Sequence, residues 1–268
     1  MLTEEQKTEF WERGFLRVPN VYSPEETEEL SDEMNRLMAE WANESAGWSG
    51  DWRKVYMDKE TEAKSKLVAM HDLYFYSGAW ARAVTHPRVV AVMTDLLGPD
   101  VELHHSTMHV KMPSTGTPFP MHQDQPFYAH RDNRYIDALV HLDDTSHENG
   151  EIRFLEGSHK EGPLEHVLKD STGKACSPHL PPDQYRLENT VPVPAKAGDL
   201  VLFNLFTIHG SYLNRTDRPR RMVRVGFRHP DNVQIAGQSL GRPGLMISGQ
   251  RRRKEGQELF SNLGPAAA

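Results

Sequence analysis

Two His-x-Asp pairs stand side by side in "PMHQDQPFYAHRDN" at 120–133: His122 with Asp124, and His130 with Asp132. In an extended strand, residues i and i+2 point to the same face, so this spacing aims an imidazole and a carboxylate into one space. A second histidine from another strand would complete a two-histidine, one-carboxylate facial set. Such a set holds one face of an octahedral iron(II) and leaves three positions open. A 2-oxo acid can chelate two of these and leave the third for dioxygen. The segment "AGDLVLFNLFTIHGSYLNRTDRPRR" offers the missing ligand: an apolar strand over 200–208 delivers His209 at its end, with Gly210 and Ser211 in a turn. Arg220 follows on the next strand. A guanidinium there could grip the distal carboxylate of 2-oxoglutarate through two parallel hydrogen bonds, a geometry lysine cannot reproduce.

The whole chain narrows the chemistry. Its 268 residues, 37% hydrophobic and 26% charged, read as one globular domain over 1–268 with an ordinary core. The lone cysteine, Cys176, rules out an internal disulfide and any multi-cysteine zinc or iron–sulfur site. A bound metal must therefore be held by histidine and carboxylate. A formal charge of −7 argues against nucleic acid as a partner, since that affinity is dominated by cations facing phosphates. The basic run "RRRK" at 251–254 reads as a solvated helix face. No segment approaches the roughly 20 apolar residues that cross a bilayer. The acidic, amphipathic start "MLTEEQKTEFWERGF" lacks the layout of a secretory signal, so a cytoplasmic location is expected.

The elements that must position these residues fall into two halves. Helix start signals recur before residue 100: Thr3 with Gln6, then Ser23, Pro24 and Glu26, each followed by an amphipathic run. "PRVVAVMTDLLG" reads as a further helix with Gly98 as its stop. Between the helices, the 42–66 stretch is polar and broken by Gly and Ser but carries Trp48, Trp52 and Tyr56. It reads equally as a lid over a pocket and as a loop packed on the helices. After residue 100, short β-rich segments alternate with Gly, Pro and Asn clusters. The expected fold is mainly β with a helical layer, a double-stranded β-helix (jelly roll, cupin-like) with N-terminal helices. It divides into a helical layer and lid at 1–100, a jelly-roll core at 101–230 and an irregular C-terminal tail at 231–268 that ends in a short basic helix.

"EFWERGFLRVPNVYSPEE", "KMPSTG", "HQDQPFY", "LDDTSHENGEIRFLEGSHK", "PAKAGDLVLFN" and "HGSYLNRTDRPRR" occur in that order and cover most of 5–228. In this the chain resembles the phytanoyl-CoA dioxygenase family of Fe(II)/2-oxoglutarate oxygenases. The resemblance implies Fe(II), 2-oxoglutarate and O2 as cofactor and co-substrates, with His122, Asp124 and His209 as iron ligands and Arg220 on the co-substrate carboxylate. It also implies co-substrate contacts at Ser211 and His109, and it settles which His-x-Asp pair is the site, because His122 and Asp124 precede the aromatic "FY". His130 and Asp132 then belong to a polar loop. The implied activity is hydroxylation of an unactivated C–H of a small molecule, with release of succinate and CO2. Halogenating members are similar but carry a small residue where this chain keeps Asp124. A cupin-like metal isomerase or hydrolase would leave Arg220 without a task, and a non-catalytic binding module would need no intact triad.

The other matching pieces read as structural: Glu148, Asn149 and Gly150 as a tight turn, and 156–160 as another, with His159 not a ligand. His104, His105 and His141 are expected in the pocket wall or behind the ligands. Arg131, Arg134, Arg224 and Arg228 fit either an anionic substrate or solvated faces.

Overall fold

The computed structural model describes residues 1–114 and 116–252. In chain order its elements are α1 (Glu4–Arg13), β1 (Phe15–Val18), α2 (Pro24–Glu40), β2 (Asn43–Ser45), α3 (Arg53–Tyr56), α4 (Lys59–Lys64), β3 (Leu67–His71), α5 (Gly78–Val84) and α6 (Pro87–Leu97). There follow β4 (Val101–Lys111), β5 (Phe119–His122), β6 (Tyr135–His141), β7 (Arg153–Phe154), β8 (Val167–Lys169), β9 (Ala175–His179), β10 (Val191–Pro192), β11 (Leu200–Asn204), β12 (His209–Ser211), β13 (Arg220–Arg228) and β14 (Leu245–Ser248). Both expected capping boxes form: Thr3 and Gln6 open α1, and Ser23 and Glu26 open α2 with Pro24 in its first turn. Gly98 caps α6 at φ +91°, in the region that favours glycine.

Most strands build two sheets that face each other without closing into a barrel, and β8 and β9 pair apart from them. The larger runs β1-β11-β6-β13-β4-β3-β2, with β14 also on β4, and the smaller runs β10-β7-β12-β5. Strand alternation divides the larger sheet cleanly. Val223, Val225 and Phe227 of β13, with Met108 and Val110 of β4, join Leu30, Met34, Leu37, Trp80 and Met93 in a core against the helices. The opposite face carries Arg220, Met222, Arg224 and Arg228 toward the smaller sheet. Register sets this inner face in three cross-strand rows: Leu67, Lys111 and Arg220; then Ala69, His109, Met222 and His141; then His71, Thr107, Arg224 and Leu139.

Three expectations need correction. The first hundred residues are not only a helical layer, because β1 and β3 hydrogen-bond into the larger sheet through β11 and β4. Each is too short to show an alternating period, and neighbouring helix signals mask it. The 200–208 stretch is not one strand: β11 ends at Asn204, and His209 opens β12 in the other sheet, with Gly210 and Ser211 in the strand rather than a turn. A continuous apolar run hid the crossing between sheets. The tail is not irregular up to its end, since β14 pairs with β4; the basic helix expected after it lies outside the described residues.

A candidate metal centre between the sheets

β5 and β12 are neighbours in the smaller sheet, and their register places His122 directly opposite His209. The chain bends just past β5, and Asp124 comes back beside them: its Oδ1 lies 3.5 Å from His122 Nε2 and 3.9 Å from His209 Nε2. All three side chains are buried, and their ligand atoms lie within 4.8 Å of one another, close enough for one ion to gather. The imidazoles are pre-set for this. His122 Nδ1–H donates to the Pro120 carbonyl at 2.7 Å and His209 Nδ1–H to that of Thr207 at 3.0 Å, so each Nε2 presents its lone pair inward.

Backbone anchors fix both ligand strands. Gln123, between the first two ligands, donates to the carbonyls of Gly162 at 2.8 Å and Phe206 at 2.7 Å and accepts from Leu164 N–H at 2.8 Å. Its own N–H donates to His166 at 3.0 Å. Ser158, in the turn at 156–160, accepts from Ile208 N–H at 2.9 Å, one residue before His209. That turn is structural, as expected, and His159 bonds to the Trp11 carbonyl instead of joining the centre.

Arg224, absent from the expected site, holds the other side of Asp124. Its Nη1 donates to Asp124 Oδ2 at 2.9 Å and to Asp137 at 3.3 Å and reaches the Tyr128 hydroxyl, while Nη2 donates to His105 Nε2 at 3.2 Å. Burial opposes the Asp124 charge, but Arg224 and the two histidines outweigh it and hold the carboxyl well below its usual range. Period-two reading from Arg220 would have found Arg224, since residues i and i+4 of a strand share a face. Of the other arginines, Arg134 pairs with Asp132 at 2.8 Å, Arg228 with Glu102 at 2.7 Å, and Arg131 is exposed. His130 is not an exposed loop residue: it is buried and accepts from Arg228 at 2.9 Å, away from the triad.

Arg220 is 1% exposed, and its Nε and Nη2 have no hydrogen-bond partner. Burial pulls its guanidinium down to about 10, only partly opposed by Asp143. Beside it in register lies Lys111, fully buried, whose ammonium donates to the Tyr212 carbonyl and is pushed well below its usual range by burial and by Arg220. Two neighbouring buried basic groups make this a candidate anion seat, and the sequence reading did not single out Lys111 as part of it. Gly150 lies against this seat at φ +77°, where a Cβ would meet the Tyr212 carbonyl at 2.4 Å and Lys111 Nζ at 3.0 Å. Ser211 and His109 line the same cavity, of about 170 Å³, as the triad; His109 stacks on Phe119 with ring centroids 5.3 Å apart.

Over the metal end lies Trp48, edge-on to His122 at 4.6 Å and tilted on Phe127 at 4.7 Å. Arg53 holds the approach to it by donating to the carbonyls of Ala46 and Trp48, both at 2.9 Å. Trp52, for which the sequence left lid and packed loop equally open, is buried, with its indole N–H on the Ser49 carbonyl.

The profile of the phytanoyl-CoA dioxygenase family matches residues 10–222. The chain belongs to this family. It is 27% identical over 259 residues to a probable alpha-ketoglutarate-dependent hypophosphite dioxygenase of Stutzerimonas stutzeri, covering 92% of this chain and 86% of that one. It is 25% identical over 229 residues to a 2-aminoethylphosphonate dioxygenase from an uncultured bacterium, covering 84% and 81%. Among solved structures, an epimerase from nogalamycin biosynthesis in complex with Fe3+, alpha ketoglutarate and nogalamycin RO superposes with a TM-score of 0.67 at 21% identity, over 92% of this chain and 96% of that one. As a phytanoyl-CoA dioxygenase family member, this protein is a 2-oxoglutarate-dependent dioxygenase using iron and O2. Among the described residues no helix is long and apolar enough to cross a membrane.

Proposed function

We propose that His122, Asp124 and His209 hold iron(II), that Arg220 and Lys111 seat the 5-carboxylate of 2-oxoglutarate, and that the enzyme hydroxylates an unactivated C–H of a small molecule. The observation that carries this reading is Arg220: a guanidinium buried with two nitrogens unpartnered fits a carboxylate that arrives with the co-substrate. The donor set fits the metal too, since two imidazoles and one carboxylate suit a non-haem iron(II) with open positions. Bound iron and 2-oxoglutarate supply the oxidising power through oxidative decarboxylation to succinate and CO2.

The chain's own residues then divide the work. His122 and His209 present Nε2, and Arg224 leaves Asp124 Oδ1 facing them. Ser211, which lines the cavity with the triad, donates its hydroxyl to the co-substrate, and His109, held neutral by burial and by Arg224 and Arg220, offers a polar edge without adding charge. Trp48 and Phe127 exclude water from the metal end. A cavity of about 170 Å³ favours a small substrate, and the phosphorus compounds named for the two relatives are small as well. The single cysteine suits the cytoplasmic location and the single oxygenase domain over 1–268 read from the sequence.

Anaerobic addition of iron(II) and then 2-oxoglutarate tests the reading. A weak visible charge-transfer band is expected in the parent and absent from His122→Ala, Asp124→Ala and His209→Ala, while Asp132→Ala keeps it. Retention of the band in Asp124→Ala would reject the assignment.

A further inference from the structure

The co-substrate seat accounts for the first row of the inner face, but in the third row His71 and Thr107 have no task in that chemistry, and Arg224 keeps one nitrogen, Nε, beyond its hold on Asp124. His71, Thr107 and Arg224 lie in register across β3, β4 and β13, and all three line the cavity. Four residues separate Arg220 from Arg224, so the rows lie about 13 Å apart along the strand, at roughly 3.3 Å per residue. The Thr107 hydroxyl and His71 Nδ1 are 3.1 Å apart, and Gln238 adds an amide at the mouth. Arg224 is 9% exposed, and its Nε is buried without a partner. Trp48, Phe127 and Leu67 supply an apolar wall to the same cavity.

Charge points the same way. Among the described residues, Arg224 and Asp124 line the cavity, Arg224 also reaches Asp137, and the basic Arg220 and Lys111 are buried two rows away on the same sheet face. Asp72, near the mouth, is already matched by Arg242 at 2.6 Å. Iron(II) and 2-oxoglutarate bring two charges of each sign, so loading adds no net charge, and Arg224 Nε keeps an unpartnered donor in a poorly solvated space. A buried donor without a partner is costly, and an incoming anion that accepts from it removes the cost.

Resting on the iron and 2-oxoglutarate reading above, we infer that the His71, Thr107 and Arg224 row seats the oxidisable substrate, and that this substrate is a small molecule bearing an oxyanion. The oxyanion accepts from Thr107 and the row's nitrogens, and its adjoining C–H or P–H bond lies under Trp48 toward the metal. The reaction inserts one oxygen atom of O2 into that bond, while the other enters succinate.

The test uses the anaerobic iron(II)–2-oxoglutarate complex of the full chain. Hypophosphite, methylphosphonate and propionate are titrated in turn, with uncharged dimethyl methylphosphonate as the control. The readouts are displacement of the charge-transfer band and, after admitting air, succinate formed per unit time. At least one oxyanion is expected to shift the band saturably and raise succinate formation, while the ester does neither. Thr107→Val and His71→Phe should weaken that response at least tenfold while titrating iron and 2-oxoglutarate like the parent, and Thr107→Ser should restore it. The inference is overturned if the ester acts as well as the anions, or if both variants respond like the parent. Absence of the band on adding 2-oxoglutarate would reject the co-substrate reading and this inference together. A band that appears and ignores every oxyanion rejects this inference alone.

Discussion

Arg220 and Arg221 are adjacent and chemically identical, yet strand alternation gives them different surroundings. Arg221 donates to both oxygens of Asp143, at 3.0 and 2.7 Å, and to Ser31 at 2.7 Å, whereas Arg220 is buried and unsatisfied. Charge-assisted hydrogen bonds contribute about 1.5 to 3 kcal/mol net, and truncating one partner of a buried pair commonly costs roughly 3 to 5. Arg220→Ala should weaken 2-oxoglutarate binding by about two to three orders of magnitude, at about 1.4 kcal/mol per tenfold, with iron affinity little changed. Arg220→Lys should recover only part, and Arg221→Ala should titrate like the parent. Arg224→Met gives the contrasting expectation. It strips the cation shared by Asp124 and Asp137, so iron affinity should fall and the metal-free protein should lose roughly 3 to 5 kcal/mol in chemical denaturation. Unchanged iron affinity would mean that Arg224 does not hold Asp124 in place. The gathering of His122, Asp124 and His209 was legible because the His-x-Asp spacing carries geometry and the family resemblance chose between the two pairs that share it. Arg224 carried a signal, its place four residues after Arg220 on one strand face, that was not used, and Lys111 carried none, since a charged residue on a strand looks the same whether it meets solvent or a buried partner.

At the scale of elements, sequence reading succeeded where one period ran unbroken, as in α2, α6, β4 and β13, and failed where the chain changed layers. Nothing in "LVLFNLFTIH" marks the passage from β11 to β12. Its cause is tertiary: Thr207 donates to the Gly14 carbonyl at 2.7 Å, and Ser158 takes the Ile208 N–H. The 42–66 segment was open to two readings, and the structure divides them between its two tryptophans. Trp48 faces the metal end, so Trp48→Ala should spare the iron–2-oxoglutarate complex but lower the product formed per succinate released. Trp52 is 1% exposed and packs near Tyr56 and His179, so Trp52→Ala should leave a void costing roughly 3 to 5 kcal/mol. Measuring coupling ratio and urea midpoint on both variants separates the roles; exchanged phenotypes would reverse the assignment.

For the whole molecule, the buried histidines set how it meets acid. Burial, with Arg220 nearby, lowers His141 from 6.5 to about 4; burial lowers His166 to about 4; and burial with Arg228 lowers His130 to about 3. Each folded value lies below the unfolded one, so the unfolded chain binds more protons between them. The stability is fully present above pH 6.5 and is lost as pH falls toward 4 and 3. For a histidine moved from 6.5 to about 4, the full loss is about 3 kcal/mol. The melting temperature of the metal-free protein should therefore start to fall just below pH 6.5, before most carboxylates titrate. A flat profile down to pH 4.5 would contradict these environments.

The three rows across β4 and β13 also make the sheet a measuring device. Side chains on one strand face recur every 6.6 to 6.8 Å or so, and the backbone ladder prevents the interval from stretching. Arg224 ties Asp124 to the strand that also carries Arg220, so the span from that ligand to Arg220 follows the pitch of β13, and a diacid must match it while its keto end reaches the metal. Oxaloacetate, one methylene shorter, and 2-oxoadipate, one longer, would each miss either the guanidinium or the metal. Choice among dicarboxylates would then reside in the repeat distance of a β-strand rather than in the shape of any single side chain.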